Sequence, residues 1–160
     1  MQLPPALEEK FTQLLGRYPV KRSALIPMMM YAQDEYGYLG DEILEEIAKR
    51  IGINVLQVTE TLEYYSMLRR KPAGRYHIQV CTNISCMLRG GNELYKHVQK
   101  RLGIGNKEVS PSGTFSLEEV ECIGACTGAP AMQVNYDFFE ELDPDKVDSI
   151  FEQLQDGKKP

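Results

Sequence analysis

Apolar positions along residues 1–70 recur at the spacing of helix faces. Leu7, Phe11, Leu14 and Leu15 follow an i, i+4, i+7, i+8 stripe behind Pro4 and Pro5, which sit where a first helix can begin. Tyr18-Pro19 breaks that helix, because the residue before a proline is pushed out of the α region. A second helix is predicted with Ser23 as its cap, Pro27 in its first turn and Met28, Met29 and Met30 in its body. Gly37 and Gly40 end it. Asp41 precedes a third helix that places Ile43, Leu44, Ile47 and Ile51 on one face and stops at Gly52. Asn54 followed by Gln57 has the pattern of a capping box and opens a fourth helix through Val55, Val58, Leu62 and Tyr65. These stretches predict a small N-terminal helical domain over residues 1–70.

The run Arg69-Arg70-Lys71-Pro72-Ala73-Gly74 reads as a linker, polar and closed by proline and glycine. Beyond it the period shortens to two: Tyr76, Ile78 and Val80 alternate with His77 and Gln79, a strand signal. Residues 92–102 return to helical spacing, with Leu94, Val98 and Leu102 on one side. Residues 115–120 and 131–135 are strand candidates. Asp143-Pro144 starts a last helix with Val147, Ile150, Phe151 and Leu154 facing inward. The order strand–helix–strand–strand–helix predicts an α/β layer over residues 75–160, so the whole chain is expected to be α+β. Residues 156–160 are expected to form a frayed tail.

Composition narrows the function classes. Net charge is −5 over 160 residues, and no basic stripe interleaves with aromatics, which argues against nucleic acid as a partner. The longest apolar run, residues 26–31, is too short to insert across a bilayer. The opening Met-Gln-Leu-Pro-Pro lacks the basic-then-apolar pattern of a secretory signal, so a cytoplasmic location is expected. In that compartment structural disulfides are disfavoured.

All four cysteines lie in the second half, as C-x4-C (Cys81, Cys86), thirty-five residues, then C-x3-C (Cys122, Cys126). Each pair falls where a predicted strand runs out into a loop. Two such loops at one sheet edge would gather four thiolates for a metal or cluster. Structural zinc commonly uses C-x2-C knuckles, and neither pair has that spacing, although zinc tolerates wider ones. A thioredoxin-type redox pair wants C-x-x-C, which is absent. A [2Fe–2S] cluster takes four thiolates spread over a longer rhomb, which suits wider pairs. Spacing therefore ranks the cluster first and leaves zinc and disulfides open. Gly124, Ala125, Thr127 and Gly128 around the second pair would let main-chain N–H groups approach sulfur. The plainer reading of those glycines is a loop needing positive φ, and both readings can hold together.

At these residues the chain resembles a known family. Phe115-Ser116, five residues, Cys122-Ile123-Gly124-Ala125-Cys126-Thr127-Gly128-Ala129-Pro130 and then Val134-Asn135 look like the signature of the 24 kDa-type iron–sulfur subunit of respiratory NADH:quinone oxidoreductase. The stretch from Val80 to Gly90 resembles that family's first cluster loop, and Gly37-Tyr38-Leu39 and Tyr64-Tyr65-Ser66-Met67 extend the likeness into the helical half. One departure is Ser112, where the signature usually has an acidic residue, outside the expected ligand set. The resemblance implies a thioredoxin-like C-terminal domain and one [2Fe–2S] cluster on Cys81, Cys86, Cys122 and Cys126. It also implies a larger flavoprotein partner carrying FMN, the NADH site and a [4Fe–4S] cluster, within a complex peripheral to the inner face of the cell membrane.

The function so implied is electron transfer, with single electrons accepted from a partner's flavin and no turnover by the isolated chain. The rivals are the equivalent subunit of an NAD-linked formate dehydrogenase or hydrogenase, a freestanding thioredoxin-like ferredoxin, and a zinc-stabilised interaction module. The remaining conspicuous residues are expected to be structural. His77 and His97 are expected to pack or face solvent, Met28 to Met30 to pack, and Asp41, Glu42, Glu45 and Glu46 to form a solvated face. Tyr64 and Tyr65 could serve either core or interface. Gly103-Ile104-Gly105 follows a helix and lacks a third glycine, so a dinucleotide is expected to bind elsewhere.

Overall fold

The computed structural model describes residues 3–155, and the tail expected at residues 156–160 lies outside them. The chain divides into two units, Met1–Pro72 and Ala73–Pro160.

The first unit is helical: α1 (Pro5–Arg17), α2 (Leu25–Tyr36), α3 (Asp41–Ile51) and α4 (Val55–Tyr64). Their apolar stripes meet in one core that includes Phe11, Met28, Met29, Ile47 and Val58. Fully burying a side chain of this size stabilises by roughly 1.5–3 kcal/mol. Asn54 and Gln57 form the predicted capping box: Asn54 Oδ1 accepts the Leu56 N–H at 2.9 Å, and Gln57 Oε1 accepts the Asn54 N–H at 3.2 Å. Gly37 and Gly52 close α2 and α3 with left-handed backbones. Ser23 is not the cap expected of it. A 3-10 turn, Lys21–Ala24, runs straight into α2, and the Leu25 N–H already donates to the Arg22 carbonyl. A donor supplied with a main-chain partner needs no side-chain cap.

After α4 the chain returns beside α2, tied by one buried side chain. Gln33 Nε2 donates to the Met67 carbonyl at 2.9 Å, and its Oε1 accepts the Arg69 N–H at 2.6 Å. Arg50 on α3 joins the same unit, gripping both oxygens of Glu8 on α1 at 2.7 Å and Glu46 at 2.7 Å. The acidic face of α3 is thus partly engaged in ion pairs, Asp41 with Arg70 included.

The second unit is built on a five-stranded sheet of order β2-β3-β1-β4-β5. Its strands are β1 (Tyr76–Cys81), β2 (Glu108–Val109), β3 (Phe115–Val120), β4 (Met132–Val134) and β5 (Asp137–Phe139). β1 and β3 run parallel, with Tyr76 opposite Phe115 and Cys81 opposite Val120, while the other pairings are antiparallel. Helices α6 (Gly91–Leu102) and α7 (Pro144–Gln155) cover one face, where Leu94, Val98, Val147 and Phe151 pack against Ile78, Val80, Leu117 and Met132. Residues of the opposite parity place polar groups on the other face. There His77 Nδ1 lies 2.8 Å from Ser116 Oγ, and Gln79 Nε2 donates to Glu118 at 3.2 Å. His77 Nε2 is 3.3 Å from Glu118 Oε2, close enough for an ion pair but turned off the hydrogen-bond axis. The α+β class expected from the hydrophobic periods is the class observed. Strands β2 and β5 and a short helix α5 (Ile84–Leu88) are additions to the sequence reading.

Candidate metal centre

The parallel register of β1 and β3 sets the geometry of the site. Both strands end at the same sheet edge, so the segments that leave Cys81 and Val120 start side by side. Thr82 reinforces the pairing: its N–H donates to the Val120 carbonyl at 3.1 Å, and its hydroxyl donates to Glu119 at 2.9 Å. Asn83 then caps α5 through its own side chain, accepting the Ile84 N–H at 2.7 Å. Cys86 rides on that helix, which turns its thiol inward.

Cys81 and Cys86 are buried, packed with Ala125, Ala129 and Ala131. Small side chains from the second loop thus form the wall of the first pair. Burial pushes the Cys86 thiol up to about 11, helped by the side-chain hydrogen bond with Cys81 and opposed by a main-chain hydrogen bond at Ala131. The Cys81 and Cys126 sulfurs lie near enough to add to that shift electrostatically. Cys122 and Cys126 are exposed. The second loop turns at Gly124, whose φ is +82°, and its N–H donates to Cys122 Sγ at 3.3 Å. Cys81 Sγ faces the Glu121 carbonyl of that loop at 3.7 Å. Cys126 opens a single 3-10 turn, Cys126–Gly128, followed by a cis Ala129–Pro130 peptide.

The structure therefore brings Cys81, Cys86 and Cys126 into one neighbourhood, with Cys122 on the same sheet-edge loop as Cys126. Among the described residues, no three His, Cys, Asp or Glu side chains converge as ligands of a single ion. The donor chemistry fits a two-iron cluster: the four cysteines carry free thiols, they arrive as pairs from adjoining loops, and main-chain N–H groups face sulfur at Gly124 and Ala131.

Packing explains Gly91, which the sequence left unassigned, and Gly128, which has no positive φ and owes its place to close packing instead. A Cβ on Gly91 would lie 2.8 Å from the Cys86 main chain and 3.0 Å from the Cys81 carbonyl, so the start of α6 rests directly on the first pair. A Cβ on Gly128 would collide with Glu140 beside the second pair. The only sequence sign of the first contact is the Gly90-Gly91 doublet at a helix start.

The other candidates take structural places. His97 Nε2 and Arg101 Nε meet Asp148 of α7 at 3.1 and 3.2 Å, which ties the two helices of the second unit. Met28 and Met29 are buried, Tyr65 packs against the helical core and Tyr64 is exposed. Gly103 terminates α6 in a left-handed cap, the ordinary end of a helix.

Comparison with known proteins meets this geometry. Residues 11–155 match the thioredoxin-like [2Fe-2S] ferredoxin family, and the chain belongs to that family. It is 39% identical over 153 residues to an NADH-quinone oxidoreductase subunit of Rhizobium meliloti (strain 1021), covering 96% of this chain and 91% of that protein. It is 38% identical over 145 residues to the corresponding NADH-quinone oxidoreductase subunit of Rickettsia bellii (strain RML369-C), covering 89% of this chain and 87% of the relative. In fold it is similar to a chain of an NAD+-reducing [NiFe]-hydrogenase in the H2-reduced state, with a TM-score of 0.68 at 19% identity. That match covers 82% of this chain and 22% of the hydrogenase chain.

Proposed function

We propose that this protein is the electron-transfer subunit of an NADH:quinone oxidoreductase, carrying one [2Fe–2S] cluster on Cys81, Cys86, Cys122 and Cys126. The observation that carries the reading is the level ending of parallel β1 and β3, which delivers both cysteine loops to one edge. Family membership and the two NADH-quinone oxidoreductase relatives support it. In this assignment the second unit is the cluster domain, Cys81 and Cys86 serve one iron, and Cys122 and Cys126 serve the other.

When bound, such a cluster supplies a group that takes up and gives back one electron. The chain's own residues do the rest. Cys81 and Cys86 anchor the inner side within an alanine wall that excludes water, while exposed Cys122 and Cys126 present the outer side to a partner. That partner is a larger flavoprotein subunit carrying FMN, the NADH site and a [4Fe–4S] cluster. The complex holds the chain at the inner face of the cell membrane; no helix among the described residues is long and apolar enough to cross one. The chain alone turns over no substrate. The equivalent subunit of an NAD+-reducing hydrogenase is the second reading, favoured by the shared fold; the sequence relatives support quinone reduction more strongly.

The test is anaerobic purification with metal and sulfide analysis. Two irons and two sulfides per chain, visible absorbance, and an EPR signal appearing only on reduction are expected. A colourless chain holding stoichiometric zinc would overturn the assignment. Cys122→Ser is expected to lose iron and sulfide while the N-terminal helices persist.

A further inference from the structure

We propose that Gly124 is a tuning residue of this site. Its main-chain N–H, which donates to Cys122 Sγ, stabilises the negative charge that one-electron reduction adds at that sulfur. The inference rests on Cys122 being a cluster ligand.

Three glycines stand close to the cysteines, and they are glycine for different reasons. Gly91 and Gly128 have no room for a side chain, as the Cys86 main chain and Glu140 show. Gly124 has room: nothing lies within 4 Å of where its Cβ would be. What remains is its φ of +82°, a conformation that L side chains rarely adopt. The N–H of the same residue donates to Cys122 Sγ, 3.3 Å away and two residues earlier, while the positive φ turns the chain that follows toward Cys126. Crowding does not require a glycine there, whereas that turn does.

The sign of the effect follows from charge. A hydrogen bond to an ionised acceptor strengthens as the acceptor becomes more negative. The reduced cluster carries one negative charge more than the oxidised cluster, so a donor aimed at a ligand sulfur favours reduction. Donors to sulfur are among the factors that set cluster potentials. Cys122 is exposed, outside the alanine wall that buries Cys81 and Cys86, and its protein donor is the Gly124 amide.

The experiment removes the donor without touching a side chain. Residues 122–160 are made synthetically with glycolic acid in place of Gly124, so that an ester oxygen replaces the N–H. This segment is ligated at Cys122 to recombinant residues 1–121 bearing a C-terminal thioester, and the full chain is loaded with iron and sulfide. A parallel chain carries D-alanine, which keeps both the N–H and the positive φ. Reduction is titrated against a dye of known potential, with dithionite as electron source and EPR of the reduced cluster as readout. The ester chain is expected to shift to lower potential, its reduction equilibrium falling about threefold to tenfold, the worth of one hydrogen bond. The D-alanine chain is expected to titrate with the natural chain. An ester chain that titrates with the natural chain overturns the proposal. An ester chain that loses its cluster while the D-alanine chain keeps it also overturns the proposal, because the N–H would then hold the ligand rather than tune it. Failure of the natural chain to load any cluster would instead remove the ligand assignment beneath it.

Discussion

Gln33 shows what one buried polar side chain does when both ends are used. Its amide donates to Met67 and accepts from Arg69, substituting for main-chain pairing in a segment that forms no helix or strand. Gln33→Leu keeps the volume and removes both bonds, leaving the Met67 carbonyl and the Arg69 N–H without this partner. The expected cost is about 1–3 kcal/mol, read as a lowered midpoint in chemical unfolding of the chain. An unchanged midpoint would mean that water replaces the side chain. Nothing in the local pattern marks Gln33, since its partners lie more than thirty residues away. The cysteines were legible for the opposite reason, because their spacing and neighbours are local. Gly124 lies between: its loop role was readable, and the direction of its N–H required the fold.

At the scale of elements, periodicity carried most of the assignment. The helices of the first unit follow their apolar stripes, and the Asn54–Gln57 box sits where the pattern placed it. Ser23 misled because a 3-10 turn occupies the place of a cap. Helix α5 escaped notice because five residues are too few to show a period, although it carries Cys86. The strand pair β1–β3 also holds a buried polar row that alternation hints at but cannot pair. Desolvation pushes the Glu118 carboxyl up, yet its contacts with His77 and Gln79 and the charges of His77 and Lys107 together hold it below its ordinary value of 4.5. A carboxyl so lowered favours the folded state while ionised. Its contribution is therefore full above its ordinary unfolded value and is lost as pH falls through the lower folded value. Denaturant melts are expected to show stability dropping on acidification below that range, with a shallower drop in Glu118→Gln; parallel profiles would assign the acid sensitivity elsewhere. The contact of α6 with the first cysteine pair gives a second expectation. Gly91→Val should overpack against the Cys86 main chain and cost about 1–3 kcal/mol, seen as a lower melting midpoint with helicity retained at low temperature.

At the scale of the whole molecule, the cysteine edge and the missing nucleotide fingerprint point to a division of labour. NADH gives up a hydride, an electron pair, whereas a [2Fe–2S] group handles one electron at a time. In the proposed assignment a flavin on another subunit splits the pair. The sequence motif that would cradle a pyrophosphate requires a glycine-rich turn from a strand into a helix. Gly103-Ile104-Gly105 instead ends α6, with Gly103 as a left-handed cap and Ile104 buried in the core. The Gly103 N–H donates to the Gln99 carbonyl at 2.9 Å and the Gly105 N–H to the Glu108 carboxylate at 2.6 Å, so the segment presents no helix N-terminus to a phosphate. Isothermal calorimetry of the cluster-loaded chain with NADH is accordingly expected to show no binding heat, and NADH alone should leave the oxidised cluster's absorbance unchanged. Mixing in the flavoprotein partner should make the same absorbance bleach on NADH addition, because the missing step is then supplied. A saturable isotherm for the chain alone would break the division of labour, and would place a nucleotide site where the described residues display none of known pattern.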